Sequence, residues 1–595
     1  MAWFSRKPAA PVAPVHKPVA VNGHAPSDAH EALVMQLGRE MLDRARGHKT
    51  GLLSAKFYSD ALMEWSMKDP QFKVQMFRFV DCFPVLKNND DIYDHLEDYL
   101  SQPGVSVPGV IAAALKAGKL AKGLAVSQIR SQIEGMAGKF IAGTDAASAL
   151  KNLRTLWDDG IAFSVDLLGE ACLSDVEADE YQKKYLDLIT NLPGQVSSWA
   201  RNERLETDHL GAIPRTNVSV KISSLSPRCD PIDTEGAMAD LMKRLLPILE
   251  TARDKGVFVN FDMEQFALKD FTIELFMRCC EKVNLDAGLA MQAYLRSGED
   301  DARRICSWAA SKKRIVSVRL VKGAYWDYEV INAEQRGWPV PVWGNKRATD
   351  ACFERMTKIY LDACPRTREA GGVKLALGSH NVRSIVAALA GLKERSLPNS
   401  AIEIQMLHGM ADQLKYAAAE MNLRVREYVP VGQMIPGMAY LVRRLLENTS
   451  NESWLKAGFL ENADPAQLLA NPAQRELQEQ AGKHEQGIEL ELGGTSPGTN
   501  PDKHALSPVV KELGEHAFFN ESFRDFARRD HHEAFTRAVA SAKVPVVPST
   551  VTPSEAGAMV GKAHAAFAPW RDADAIARAK VLMAAAQLMR ERRDE

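Results

Sequence analysis

Paired cysteines are missing from this 595-residue sequence. Its eight cysteines, at positions 82, 172, 229, 279, 280, 306, 352 and 364, include no C-x-x-C. That excludes the common zinc spacings and a disulfide framework; reduced thiols of a cytoplasmic protein are the simplest reading. No apolar run approaches the ~18–20 residues of a membrane-spanning helix. There is no excess of one charge: 74 Lys and Arg against 76 Asp and Glu leave a net charge of -2, which points away from nucleic acid as a partner. No G-x-x-x-x-G-K-[ST] loop occurs, and no H-x-H or H-E-x-x-H, so neither a nucleotide phosphate loop nor a local metal motif is present. Residues 1–30 are rich in Ala, Pro and Val and lack an apolar signal core, and they read as a disordered tail.

What is present is apolar residue in quantity, 46% of the chain, enough for a sizeable core. Residues 31–155 carry apolar positions spaced by three and four, as in EALVMQLGREMLDRARG, and lack strand signals; they predict an all-helical arm. From 156 to 475 the pattern changes. Eight short β-branched runs alternate with amphipathic helical segments: IAFSVDLL (161–168), VSVKIS (218–223), VFVNFDM (257–263), LAMQAYL (289–295), IVSVRLV (315–321), VKLALGS (373–379), IEIQMLHG (402–409) and LRVREYVP (423–430). Eight such alternations predict an α/β fold, a (β/α)8 TIM-type barrel. A doubly wound sheet is the competitor, but the turn after its first strand, LLGEACLS, holds a single glycine. Residues 476–515 read as a linker, and 516–595 as a short helical extension.

In such a barrel the chemistry sits at the C-terminal ends of the strands. Those ends carry Glu170, Lys221, Asp262 with Glu264, Gln292, Arg319 with Lys322, Ser379-His380-Asn381, Leu407-His408 and Tyr428. Any one of these fits an ordinary solvent-facing strand end, but all of them together do not. SVRLVKGAYW (317–326) raises a sharper question, because it buries Arg319 and Lys322 beside a glycine turn. In the last helix, Tyr440, Arg443 and Arg444 share a face with Glu447 one turn on. Two adjacent arginines there form either a clamp for a carboxylate or phosphate or a solvated basic face. Three chemistries compete: a metal held by His380, His408 and Asp262, a phosphate site, or a flavin with Arg319, Lys322, Gln292 and His380 as its polar contacts.

RLVKGAYWDYE (319–329), YVPVG (428–432) and YLVRRLLEN (440–448), with VKISSLSPR, NFDMEQ, SHN and MLHGM in the same order, resemble the proline dehydrogenase part of proline utilization A, over about residues 31–455. The resemblance implies a flavoenzyme that oxidises L-proline to Δ1-pyrroline-5-carboxylate by hydride transfer to FAD. Its electrons would pass to a quinone, with a peripheral contact at the inner membrane. It places Gln292, Arg319, Val321, Lys322, Gly323, Ala324, Trp326, Ser379, His380, Asn381 and Glu447 around the cofactor. It places Lys221, Tyr325, Leu407, Tyr428, Tyr440, Arg443 and Arg444 around the substrate, with Asp262 ordering the charges and Glu170 pairing with Arg443 as a gate. On this view the burial of Arg319 and Lys322 is offset by an anionic cofactor and substrate. Residues 516–595 resemble the beginning of the aldehyde dehydrogenase domain of bifunctional members. The sequence stops at Glu595, before a catalytic cysteine, so aldehyde oxidation is not expected of this chain unless it is a fragment or a separate chain supplies that part. The competing readings are a non-catalytic barrel scaffold and a metal-dependent barrel lyase.

Overall fold

The computed structural model describes residues 28–48, 69–107, 138–169, 171–433, 464–474, 522–543 and 551–593, with isolated residues between 112 and 130. Eight parallel strands form a closed barrel: β1 (Ala162–Leu167), β2 (Asn217–Val220), β3 (Phe258–Phe261), β4 (Ala287–Gln292), β5 (Ile315–Val321), β6 (Gly372–Gly378), β7 (Ile402–Leu407) and β8 (Val425–Val431). Each pairs in parallel with its neighbour in sequence. β8 closes on β1, Ala162 lying opposite Arg426 and Leu167 opposite Val431. The expected (β/α)8 barrel, with a helical region before it and helices after it, is the fold of the chain.

The helices between strands begin and end where local chemistry dictates. The helix Thr234–Lys255 starts under Asp233, whose carboxylate accepts the Gly236 N–H at 3.1 Å, and ends at Gly256 in the left-handed region. Such an acceptor satisfies a backbone donor that the first turn leaves unpaired. Strand residues of one parity, among them Val165, Val220, Phe261, Leu289, Leu320, Leu377, Ile404 and Val429, are fully buried in the main core. The other parity is unusual. Ser164, Asp166, Asn217, Ser219, Asn260, Asp262, Gln292, Arg319, Glu403, Gln405 and Arg426 are all buried as well. Barrel interiors are ordinarily packed with branched apolar side chains; this one holds a column of polar groups.

A two-residue hairpin, Thr207–Asp208 with Gly211–Ala212, stops the N-terminal end of the column: Lys374 donates to Asp208 at 2.9 Å and Arg424 to the Thr207 carbonyl at 2.9 Å. The arm helix Asp28–Gly47 buries Val34, Leu37, Met41, Leu42 and Ala45 in the same core as the barrel. Its Glu31 accepts both Nη groups of Arg383, at 2.5 and 2.9 Å, fixing the arm to the helix Val382–Glu394. Leu469 packs against Gly38 so closely that a Cβ there would meet its side chain at 2.5 Å. At the other end, Arg529–Ser541, Pro553–Asp572 and Ala575–Glu591 are helices with no buried residues. They follow a segment that touches the barrel through Trp338 Nε1, which donates to the Phe523 carbonyl at 2.6 Å.

Candidate active site

Arg319 is the centre of the polar column. The strand register sets it between Ala290 on β4 and Ala376 on β6, and these small neighbours leave room for a guanidinium. It is 6% exposed. Nε donates to Gln405 Oε1 at 2.5 Å, Nη1 to Asp262 Oδ1 at 2.7 Å, and Nη2 to Ser219 and Ser164 at 3.0 and 3.4 Å. The Tyr428 ring lies over the guanidinium with its centroid 5.0 Å away, a cation–π contact.

Asp262 and Tyr428 join this group to a second one. The Tyr428 hydroxyl donates to Asp262 Oδ2 at 2.7 Å and accepts from Lys221 Nζ at 3.2 Å. Lys221 is also paired with Asp166 and lies 3.6 Å from Asp262. Burial opposes the charge on Lys221, but Asp166 and Asp262 outweigh it and hold its pKa above the ordinary lysine value. Burial pushes the Asp166 carboxyl upward, with Lys221 opposing. Burial, then the same two carboxylates, raises the Tyr428 phenol. The hydroxyl therefore keeps its proton and donates to Asp262. Two carboxylates, two cations and a phenol thus meet at the C-terminal end of the barrel. Lys221 and Asp262 lie just past the ends of β2 and β3, and Asp166, Arg319 and Tyr428 within the last four residues of β1, β5 and β8.

The expected site residues divide into groups. Lys221, Asp262, Arg319 and Tyr428 come together directly. Gln292, 3% exposed, donates to the carbonyl of Glu264 at 3.1 Å, and its Oε1 is buried with no hydrogen-bond partner. Val321, Lys322, Gly323 and Ala324 lie where β5 ends, and Leu407 ends β7 opposite Tyr428. His380 Nε2 accepts the Leu407 N–H at 3.1 Å. His408 is turned to Glu427 at 2.6 Å, so the two histidines serve different partners; among the described residues no cluster of three His, Cys, Asp or Glu could hold a metal. Ser379 Oγ accepts the Asn381 N–H and Asn381 accepts the Ser384 N–H, which makes this pair the cap of the helix Val382–Glu394. Tyr325 is half-buried against Tyr294, Leu295 and Val342. Trp326 is 40% exposed and donates to the Trp343 carbonyl. Glu170, Tyr440, Arg443, Arg444 and Glu447 lie outside the described residues.

One expectation is corrected. The two cations of SVRLVKGAYW were to be offset by cofactor and substrate. Protein carboxylates meet them: Asp262 for Arg319 and Asp350, on the helix Lys346–Asp362, for Lys322. Desolvating a cation beside a glycine turn is affordable because each has its own counter-ion. Asp166, Ser164, Ser219, Gln405 and Asp350 were not foreseen.

Gly323 has φ +129°, and a Cβ there would lie 2.4 Å from the Tyr294 ring. That ring is 2% exposed in a packed cluster. Gly323→Ala is therefore expected to cost about 1–3 kcal/mol through backbone strain and overpacking, read as a lower melting temperature. An unchanged melting temperature would mean that the turn relaxes freely.

The sequence profile of the proline dehydrogenase family matches residues 149–457, more than half of the chain. The chain belongs to the proline dehydrogenase family. A second profile, the proline utilization A N-terminal domain, matches residues 31–140. The chain is 31% identical over 362 residues to the bifunctional protein PutA of Klebsiella aerogenes, covering 58% of this chain and 26% of that protein. It is 26% identical over 338 residues to the proline dehydrogenase of Deinococcus radiodurans, covering 56% of this chain and 92% of that one. A crystal structure of proline utilization A from Bdellovibrio bacteriovorus, inactivated by N-propargylglycine, superposes with a TM-score of 0.72 and 36% identity, over 86% of this chain and 48% of the other. This proline dehydrogenase family member thus spans about a quarter of the Klebsiella relative and half of the Bdellovibrio one.

Proposed function

We propose that the chain oxidises L-proline to Δ1-pyrroline-5-carboxylate with FAD as the hydride acceptor, and passes the electrons to a quinone. Membership of the family supports the substrate. The observation that carries the reading within the barrel is the Asp166–Lys221–Asp262–Arg319–Tyr428 cluster at the strand ends.

The residues present fit a flavin. Gln292 spends its amide hydrogens on backbone carbonyls and leaves a buried, unpartnered Oε1, which suits a ring N–H. Arg319, although paired with Asp262, keeps an N–H with no partner among the described residues. Gln292 and Arg319 would hold the ring, and residues 321–324 and 379–381 the rest of the cofactor. When bound, a flavin supplies the two-electron acceptor for hydride leaving C5 of proline.

The chain's own groups have defined tasks. Arg319 stabilises negative charge that develops beside it, in a buried setting where such charge is poorly served by water. Asp262 holds Arg319, Tyr428 and Lys221 in fixed relation. Tyr428 offers an apolar face backed by a cation, suited to a small saturated ring. Lys221, kept charged by two carboxylates, draws the substrate carboxylate toward the strand ends; Arg443 and Arg444 are assigned to clamp it. Fixing both ends of so small a substrate is how orientation lowers the barrier.

The purified protein is expected to be yellow and to lose its visible flavin absorbance on anaerobic addition of L-proline. Colourless protein, or yellow protein that proline leaves unchanged, would sink the reading.

A further inference from the structure

We infer that Gln405 is a positioning residue, which aims at the barrel mouth the one Arg319 N–H left over once the cluster is satisfied; the inference rests on the flavoenzyme reading above. A guanidinium carries five N–H groups. Four have the partners already described: Gln405, Asp262, Ser219 and Ser164. The fifth, on Nη1, has none among the described residues. Where it points depends on how the whole plane is held, and Gln405 holds the Nε edge.

Gln405 can do this because its amide has a single workable orientation. Nε2 donates to Glu403 Oε1 at 2.7 Å, which leaves Oε1 for Arg319 Nε. A carboxylate only accepts and an arginine Nε only donates. Turning the amide over would set donor against donor and acceptor against acceptor. Glu403 is itself immobilised: Arg424 Nε reaches Oε2 at 2.8 Å, and Arg426 reaches Oε1 and Oε2 at 2.8 and 3.0 Å. Burial opposes ionisation of Glu403, but the two guanidiniums overrule it and bring its pKa to about 2, so it remains an acceptor. On β6 the positions opposite Glu403 and Gln405 are Ala376 and Gly378, and no long side chain intrudes.

Without this hold the guanidinium has somewhere else to go. A cavity of ≈ 40 Å³, lined in part by Asn260, Ser317, Lys374 and Glu403, lies on the N-terminal side of Arg319. It is roomy and polar enough for water. A loosened guanidinium can drop toward it and toward Glu403, away from the mouth. Gln405 is thus a brace between the arginine–glutamate stack below and the reacting end above.

Gln405→Met keeps side-chain length and removes the acceptor. The expected result is unchanged flavin content, KM for proline within about twofold, and kcat lowered about 10- to 100-fold, the scale of a lost charge-assisted hydrogen bond. The flavin midpoint potential is expected to become more negative, because the reduced, anionic form loses part of the cation that faces it. A purely structural role would lower the melting temperature and leave the potential in place. Unchanged kcat and potential in folded, flavin-loaded Gln405→Met protein would overturn the inference. If that variant does not fold, the shorter Gln405→Leu takes its place: it also removes the acceptor for Arg319 Nε and leaves Glu403 with its two arginines. It too is expected to lower kcat and potential, and unchanged values overturn the inference equally. Wild-type protein that binds no flavin, or whose flavin proline does not bleach, would instead overturn the flavoenzyme reading itself.

Discussion

Asp262→Ala is expected to lower kcat/KM for proline about 10²- to 10³-fold and to destabilise the fold. Asp262 joins Arg319, Tyr428 and Lys221 through its two oxygens. Oδ1 accepts from Arg319 at 2.7 Å and from Asn260 at 3.2 Å; Oδ2 accepts from Tyr428 at 2.7 Å, with Lys221 at 3.6 Å. Removing it leaves a buried arginine whose Nη1 has lost its counter-ion, a phenol with no acceptor, and a lysine facing Asp166 alone. Breaking a buried ion pair from one side costs about 3–5 kcal/mol, and each 1.4 kcal/mol felt in the transition state is tenfold in rate. The loss divides between orientation and stability, so two measurements are needed, steady-state kinetics and thermal unfolding. Asp262→Asn separates them. It keeps the shape and an acceptor for Arg319, so the melting temperature should recover while turnover stays low. Turnover within tenfold of wild type in Asp262→Ala would show that the cluster is structural and that the reaction occurs elsewhere.

The barrel was legible because its helix-facing strand residues are almost all apolar, Glu427 excepted, and the helices between them are amphipathic. The errors fall where chemistry masks that pattern. VSVKIS suggests a strand to 223, yet β2 ends at Val220 and Ile222–Ser224 form a 3-10 turn. LAMQAYL suggests a strand over 289–295, but β4 runs from Ala287 to Gln292. Its first residues, Ala287 and Gly288, have little strand propensity. In the site, Lys221, Asp262, Arg319 and Tyr428 were legible because each is an ionisable group at or near a strand end. Asp166 and Gln405 were not, because each lies inside its apolar run, before the more conspicuous polar residues Glu170 and His408. The signal was in the pleat. Ser164 and Asp166, Asn217 and Ser219, Glu403 and Gln405, and Arg426 and Tyr428 are each two apart within a buried strand, and Asn260 and Asp262 keep that spacing across the end of β3. Since side chains alternate faces, polar residues at that spacing in a strand buried on both sides can only line the barrel interior.

The same strands that build the site also make the fold acid-sensitive, and Glu427→Ala is expected to remove a large part of the net stability. Glu427 stands on the helix-facing side of β8, 3% exposed in its side chain, between Lys415, 1% exposed, and His408. Burial works against its charge, but Lys415 and then His408 outweigh burial and draw its pKa from 4.5 to about 2. Glu403, between its two arginines, is drawn equally low. A carboxyl whose folded pKa lies below its unfolded value stabilises the protein fully above the unfolded value and loses that contribution as pH falls toward the folded one. At 1.36 kcal/mol per unit, each group contributes about 3 kcal/mol, and net stabilities are typically only about 5–15 kcal/mol. Stability at neutral pH should therefore hold down to about pH 4.5 and fall steeply from there toward pH 2. In Glu427→Ala, Lys415 keeps only Asp412, at 2.8 Å, and His408 loses its partner, so the loss at pH 7 is expected to be about 3–5 kcal/mol. Glu427→Gln should show a smaller loss at pH 7 and a shallower acid slope, since one strongly depressed, buried carboxyl is gone. Denaturant unfolding at a series of pH values measures both. An acid slope identical in Glu427→Gln and wild type would mean that the Lys415–Glu427–His408 group does not carry the pH dependence.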